Sequence, residues 1–227
     1  MRIEQESPNR ETTRSMGHTS CFFLVRIIHS VPQASKLYKV KSDAVSCVHN
    51  RNIVRYMDER IKVKVILGST REGRFSDKPG RWILGELSKR ADVAPELLDL
   101  RDYPMPYFDE PVSPSYKQEP YKNEAVAKWT AKIAEGDAFI VIAPEYNHGY
   151  TAVLKNALDY VYQEWNNKTI GFVTYGSALG ARSVEQLREV AVELQMAPIR
   201  NAIHMPYDVI IAAGKGTPEN ELFAPFS

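Results

Sequence analysis

The chain has 227 residues, 44% of them apolar and 25% charged, which fits one α/β domain with a tail or two small soluble domains. A formal net charge of +1 leaves no broad electrostatic case for nucleic acid, and it lacks the acidic face typical of a dedicated electron carrier. The two cysteines, Cys21 and Cys47, make neither a disulfide framework nor a metal pattern, so a reducing, cytoplasmic setting is expected.

Residues 1–60 show no sustained helical periodicity and carry more basic than acidic side chains. They read as a poorly ordered extension. It is either a targeting or partner-binding arm or upstream sequence with Met57 as the natural start. The most apolar early run, Cys21–Val31, is interrupted by Arg26 and falls short of the roughly 20 residues a membrane span requires. The polar stretch ahead of it argues against a signal peptide.

The next stretch, IKVKVILGSTREGRFS over residues 61–76, is the most informative. Ile61–Leu67 ends in a continuous apolar run, as expected of a strand buried on both faces of a parallel sheet. It breaks at Gly68 into a loop of hydroxyls and guanidiniums: Ser69, Thr70, Arg71, Arg74 and Ser76. Asp77 and Pro79 then open a helix. Free backbone N–H groups and the positive end of a helix dipole make such a junction an anion site, to which arginines can add bidentate contacts. Many strand–Gly–helix turns bind nothing, so a phosphate and no ligand both remain open on the local pattern. The loop has neither the Gly-Lys-Ser/Thr of a nucleoside-triphosphate site nor G-x-G-x-x-G, which leaves a monophosphate ester as the expected ligand.

Further along, Arg81–Arg90 continues the helix with Trp82, Ile83, Leu84 and Leu87 inward, and Glu96–Leu100 reads as a short strand. Arg101–Tyr121 holds five prolines and four tyrosines and must be a long loop. It is a surface connection, a substrate-cleft wall or a subunit contact. Glu124–Glu135 is an amphipathic helix stopped by Gly136 as its C-terminal cap. Ala138–Ala143 is a wholly apolar strand that ends in Pro144-Glu145-Tyr146-Asn147-His148-Gly149. A helix over 151–162, a strand over 169–175, a helix over 182–195 and a last strand over 198–205 complete the pattern. The expected organisation is therefore an α/β domain over 61–206, a three-layer sandwich of five parallel strands with helices on both faces, followed by an irregular tail over 207–227.

In a parallel sheet the strand-to-helix loops emerge at one edge, where ligands bind. The loop over 68–76 suits a phosphate. Pro144 stiffens the exit of the third strand, and Tyr146 and Asn147 can stack and hydrogen-bond. The loop over 175–180 offers Tyr175, Ser177 and two glycines, Gly176 and Gly180, that let backbone approach a flat ligand. Together they describe a pocket for a planar heterocycle with one phosphate, and FMN fits that description.

Three segments, GSTREGR, PEYNHGYTAVLKNALDY and YGSALGARSVEQLR, resemble the signatures of the NAD(P)H-dependent FMN reductases of flavodoxin-like fold, a family that includes quinone, azo-dye and metal-ion reductases. The resemblance implies strand order 2-1-3-4-5, non-covalent FMN, NADPH or NADH as hydride donor and a homodimer or homotetramer. It also implies hydride transfer through FMN to a small acceptor such as a quinone, an azo compound, a metal ion or free flavin. Ser69, Arg71, Arg74 and Ser76 match its phosphate positions. Pro144, Glu145, Tyr146 and Asn147 match the segment against the isoalloxazine, and Tyr175, Gly176, Ser177 and Gly180 the loop at its pyrimidine side. No protein side chain is then expected to be catalytic, because the cofactor carries the chemistry. No metal site, nucleic acid or membrane partner is expected.

Two departures stand out. Leu179 occupies a position where the family commonly has glycine, which narrows the approach to the flavin, and the family's closing helix is missing or replaced. His148 is either an acid–base residue beside the flavin loop or a helix-leading surface residue. An electron carrier or a non-catalytic flavin-binding protein is the competing reading.

Overall fold

A computed structural model describes residues 60–227. The expectation of an unordered N-terminal extension, with Cys21 and Cys47, lies outside the described residues. Strand β1 (Ile61–Leu67) pairs in parallel with β2 (Val93–Asp99) on one side and with β3 (Ala138–Pro144) on the other. Strand β3 in turn pairs with β4 (Thr169–Tyr175), in register from Ala138 opposite Thr169 to Pro144 opposite Tyr175. The sheet order is β2-β1-β3-β4-β5, as the family resemblance implies, with one extra strand.

That extra strand comes from a break in the expected final one. The run splits into β5 (Ala197–Pro198) and β6 (Ile203–Met205), both paired with β4. Ile199 still donates to Ile170 O at 2.9 Å. The next carbonyl, of Arg200, is taken by Arg188 Nη2 at 2.5 Å, which leads the chain off the ladder.

Helices α2 (Glu124–Glu135), α3 (Ala152–Asp159) and α4 (Ala181–Glu193) cover one face. Their apolar sides meet Ile66, Phe139 and Phe172 of the sheet, with Trp129 and Trp165 among the largest buried side chains. Helix α1 (Asp77–Ser88) covers the other face through Ile83 and Leu87.

The chain beyond residue 206 is helical rather than irregular. Tyr207–Gly214 forms α5, Glu219–Leu222 forms α6, and Ala224–Phe226 adds a 3-10 turn. Pro206, Gly216 and Pro218 sit at the junctions between these elements. Pro206 and Pro218 precede the two helices, where a missing N–H costs nothing. Ala213, Leu222 and Phe223 bury against the α1 face, and the Phe223 ring stacks on Trp82 with centroids 5.0 Å apart. This segment does the work of the closing helix that the sequence pattern does not show.

Gly136 ends α2, but not in the left-handed conformation of a glycine cap: its φ is −73°. A Cβ there would meet Lys64 Cγ and Phe139 Cζ at 2.9 Å, so packing is what calls for glycine. The open helix carbonyls are taken by Lys168 Nζ, at 2.8 Å from Ile133 O and 3.1 Å from Ala134 O. Lys64, buried in β1, is held by Glu96 of β2 and by Glu135 of α2 at 2.9 Å.

Truncating the Phe223 side chain empties a buried site between Trp82 and Phe75. Phe223→Ala should destabilise the fold by about 3–5 kcal/mol, the usual cost of a large core aromatic. Denaturant unfolding followed by tryptophan fluorescence checks it, and a loss under about 1 kcal/mol would show that the segment does not close the core.

Candidate functional site

The carboxyl ends of β1, β3 and β4 place their three following loops side by side. Two contacts join them directly. Tyr146 Oη lies 3.3 Å from Ser69 Oγ, linking the second loop to the first, and Glu145 N donates to Tyr175 O at 2.9 Å, linking the second to the third.

The first loop turns through Gly73 at φ 62° and enters α1 at Ser76. Among the described residues the backbone N–H groups of Ser69, Thr70, Arg74 and Phe75 make no bond, while that of Ser76 faces the Tyr175 phenol. Ser76 Oγ is fully buried and makes no hydrogen bond of ordinary length, with the Tyr175 phenol beside it. A buried hydroxyl left without such a bond costs about 1–3 kcal/mol, which an oxygen-rich anion at a helix N-terminus would recover. Arg71 is exposed, and its guanidinium makes no bond among the described residues. These groups could hold a phosphate.

Arg74 is placed differently from expectation. Its side chain is 2% exposed. Nε donates to Asp77 Oδ1 at 2.8 Å, and Nη1 donates to Ser69 O at 2.5 Å and to Asp99 Oδ1 at 2.7 Å. Nη2 pairs with Asp99 Oδ2 and with Asp77 Oδ1 at 2.6 Å. Four guanidinium hydrogen bonds and a further ion-pair contact are thus spent inside the protein. Arg74 braces the loop rather than facing a ligand. Burial pushes the Asp99 carboxyl upward, but the Arg74 fork and the Arg101 N–H outweigh it and hold Asp99 below the ordinary carboxylate range.

The second loop is a two-residue turn. Tyr146 and Gly149 exchange both backbone bonds, at 2.8 and 3.1 Å, with Asn147 at φ 50° and His148 at φ 72° between them. Positive φ at both central positions is the type I′ geometry, which asparagine tolerates well. Asn147 is exposed and Tyr146 is 39% exposed. Pro144 is buried, its carbonyl accepting from Ser183 Oγ at 3.1 Å. Glu145 does not face outward: Arg182 Nε donates to its carboxylate at 2.5 Å. Arg182 Nη1 also meets His148 Nε2 at 2.8 Å. A guanidinium only donates, so Nε2 accepts and the imidazole proton sits on Nδ1. His148 is therefore tethered to α4.

In the third loop Tyr175 turns inward, edge-on to Phe75 with centroids 4.9 Å apart. Its phenol lies against Ser76, and burial raises its pKa well above the ordinary value. Gly180 is at φ 70°, and a Cβ there would come within 2.5 Å of Thr174 Cβ. Leu179 adopts φ 61° with 43% of its surface exposed. Its carbonyl accepts from His204 Nδ1 at 3.2 Å and from Thr174 Oγ1 at 3.3 Å. Ser177 is exposed beside Gly176.

Several residues that hold these loops were not singled out from sequence: Asp99, Arg101, Thr151, Arg182, Ser183 and His204. Only Asp99 and Arg101 carried a usable signal, as charges two residues apart where a strand reaches the carboxyl edge of the sheet. The 101–121 loop is anchored by Asn156, whose amide donates to Pro106 O at 2.7 Å and accepts from Phe108 N at 2.9 Å. Tyr107 and Tyr116 stand about four-fifths exposed on it, at 81% and 79%. A cavity of about 620 Å³ lies apart from the three loops, between Pro114–Tyr121, α2 and Tyr162–Glu164.

Residues 61–208 match the family described as NADPH-dependent FMN reductase. An NAD(P)H-dependent FMN reductase of Schizosaccharomyces pombe is 39% identical over 153 residues, spanning 66% of this chain and 76% of that protein. A quinone reductase of Escherichia coli K12 is 28% identical over 61% of this chain and 73% of its own. Among solved structures, the flavoenzyme NAD(P)H:(acceptor) oxidoreductase of Paracoccus denitrificans shares the fold. It superposes with a TM-score of 0.54 at 22% identity, covering 73% of this chain and 91% of that one.

Because Asp99 has a depressed pKa, its contribution to stability is complete above its unfolded value, about 3.9, and is lost as pH falls through the lower folded value. Asp99→Asn removes that contribution at neutral pH and leaves Arg74 short of a partner, with an expected cost of about 3 kcal/mol. Urea unfolding at pH 7 and at pH 3 checks this: the gap between wild type and variant should narrow in acid. A gap that is the same at both pH values would remove Asp99 from the account.

Proposed function

The chain belongs to the NADPH-dependent FMN reductase family, and from that premise we propose that the three-loop edge binds FMN and passes hydride from NADPH or NADH to a small acceptor of the quinone type. The observation that carries this reading is the phosphate end. Where β1 gives way to α1 the loop carries N–H groups, the buried Ser76 hydroxyl and an exposed Arg71 guanidinium that make no hydrogen bond among the described residues. A nicotinamide dinucleotide alone would call for a different loop, and the G-x-G-x-x-G pattern is absent.

The residues divide into those that hold and those that shape. Arg71, Ser69 and Ser76 would neutralise and hydrogen-bond the phosphate. Tyr146 and Asn147, on a turn fixed by two backbone bonds, would lie against the ring system with Gly176 and Ser177 opposite. The chemistry FMN supplies when bound is two-electron redox exchange. The protein orients the reactants, supplies backbone donors near developing negative charge and limits solvent access. The exposed Leu179 side chain gives the mouth of the site an apolar wall that suits a flat organic acceptor. The same proposal holds that the protein works as a homodimer or homotetramer in the cytoplasm. The exposed Tyr107, Val112 and Tyr116 support a contact with a second copy.

The test is anaerobic addition of NADPH, then NADH, to the flavin-loaded protein, followed by a quinone. Flavin absorbance should bleach with a nicotinamide and return with the quinone; no bleaching with either donor would reject a reductase in favour of a carrier. In the same preparation Arg71→Ala should weaken FMN retention by roughly tenfold, the scale of one charge-assisted bond, without changing the melting temperature.

A further inference from the structure

Four consecutive carbonyl oxygens in the first loop are each held by a side chain. Gly68 O accepts from Thr151 Oγ1, the N-cap of α3. Ser69 O accepts from Arg74 Nη1 at 2.5 Å. Thr70 O and Arg71 O both accept from Arg101, from Nε at 3.3 Å and from Nη2 at 2.5 Å. In a trans peptide the carbonyl of one residue and the N–H of the next point in opposite directions. Each held carbonyl therefore directs the following N–H, those of Ser69, Thr70, Arg71 and Glu72, away from its holder. The N–H groups of Ser69, Thr70 and Glu72 make no bond among the described residues, and that of Arg71 reaches only Ser69 Oγ, at 3.4 Å.

We propose that Arg101, which follows β2 and lies outside the loop, is a positioning residue for the phosphate of FMN, acting through the loop backbone rather than by contact. The inference rests on the FMN reading of this site. Arg101 suits the role because its planar fork spans two adjacent carbonyls, which a point charge cannot do. A cation bound to a carbonyl also polarises the peptide and strengthens its N–H as a donor. One carboxylate aligns the braces: Asp99 forks onto the Arg74 guanidinium and accepts from Arg101 N at 3.0 Å. Residues at the end of β2 thus set the shape of a loop that follows β1.

The experiment is equilibrium titration of the flavin-stripped full chain with FMN and with riboflavin, which lacks the phosphate. Wild type should prefer FMN. Arg101→Ala should lose roughly tenfold or more of its FMN affinity, the scale of two charge-assisted bonds acting indirectly, and leave riboflavin affinity unchanged. Arg101→Lys, which keeps the charge but not the fork, should recover little of that preference. Full recovery in the lysine variant would mean that charge alone matters, and would overturn the backbone route. Equal losses for both flavins, or an unchanged preference in Arg101→Ala, would also overturn the inference while leaving the FMN reading intact. A wild type with no preference for FMN over riboflavin would overturn both. Arg101 is exposed, so a melting temperature close to wild type should accompany the variants; a variant that melts early is replaced by Arg101→Gln, for which the same flavin comparison decides.

Discussion

Burying an arginine without full pairing costs several kcal/mol, on the order of 3–5 when a partner is removed, and Arg74 satisfies the pairing condition in one way. Its guanidinium reaches back to the carbonyl of Ser69, sideways to Asp77 at the start of α1, and across to Asp99 at the end of β2. Strand, loop and helix are thereby tied to a neighbouring strand through a single planar group. Because the five donors are fixed in a rigid fork, the loop cannot relax without stranding the charge. The free N–H groups and the exposed Arg71 owe their placement to that constraint. The loop's conformation is thus fixed by protein groups alone, which would reduce the ordering cost of the proposed binding.

The sequence makes the scaffold legible and hides the bracing. Continuous apolar runs at Val65–Leu67 and Ala138–Ala143 mark buried parallel strands, and the loops that follow them share an edge for topological reasons. A 3.6-residue period locates the long helices to within a few positions. What stays hidden is any choice settled by a partner distant in sequence. Arg71 and Arg74 look alike in the loop, yet only one faces outward, because Asp99 stands 25 residues on from Arg74. Gly136 looks like a left-handed cap, but it is a packing glycine and Lys168 caps the helix instead. The eight-residue helix over 207–214 is apolar nearly all round, so it shows no stripe to read, and only the α1 face with Trp82 and Phe223 gives it a place.

The C-terminal segment bears on the site as well as on the core. Phe223 stacks on Trp82 and also approaches Phe75, with ring centroids 6.5 Å apart, and Phe75 belongs to the first of the three loops. Phe75 in turn packs edge-on against Tyr175, the last residue of β4. A line of aromatic rings therefore runs from the far end of the chain to the first and third loops. Coverage of this sheet face and support of the loop are one structural element.

The third loop carries the clearest local conflict. A left-handed backbone at a non-glycine residue costs about 1–2 kcal/mol, and Leu179 accepts it at φ 61°. Two donors, His204 and Thr174, converge on the Leu179 carbonyl, and its N–H closes a turn onto Gly176 O at 3.0 Å. A carbonyl only accepts, so His204 Nδ1 carries the proton and the tautomer is set by the loop. Strain that is this well over-determined usually serves a site rather than the fold. Glycine here would relieve the backbone but remove the apolar side chain that stands at the mouth. The conflict between local preference and global placement thus marks the third loop as the part of the three-loop edge shaped by something other than the fold.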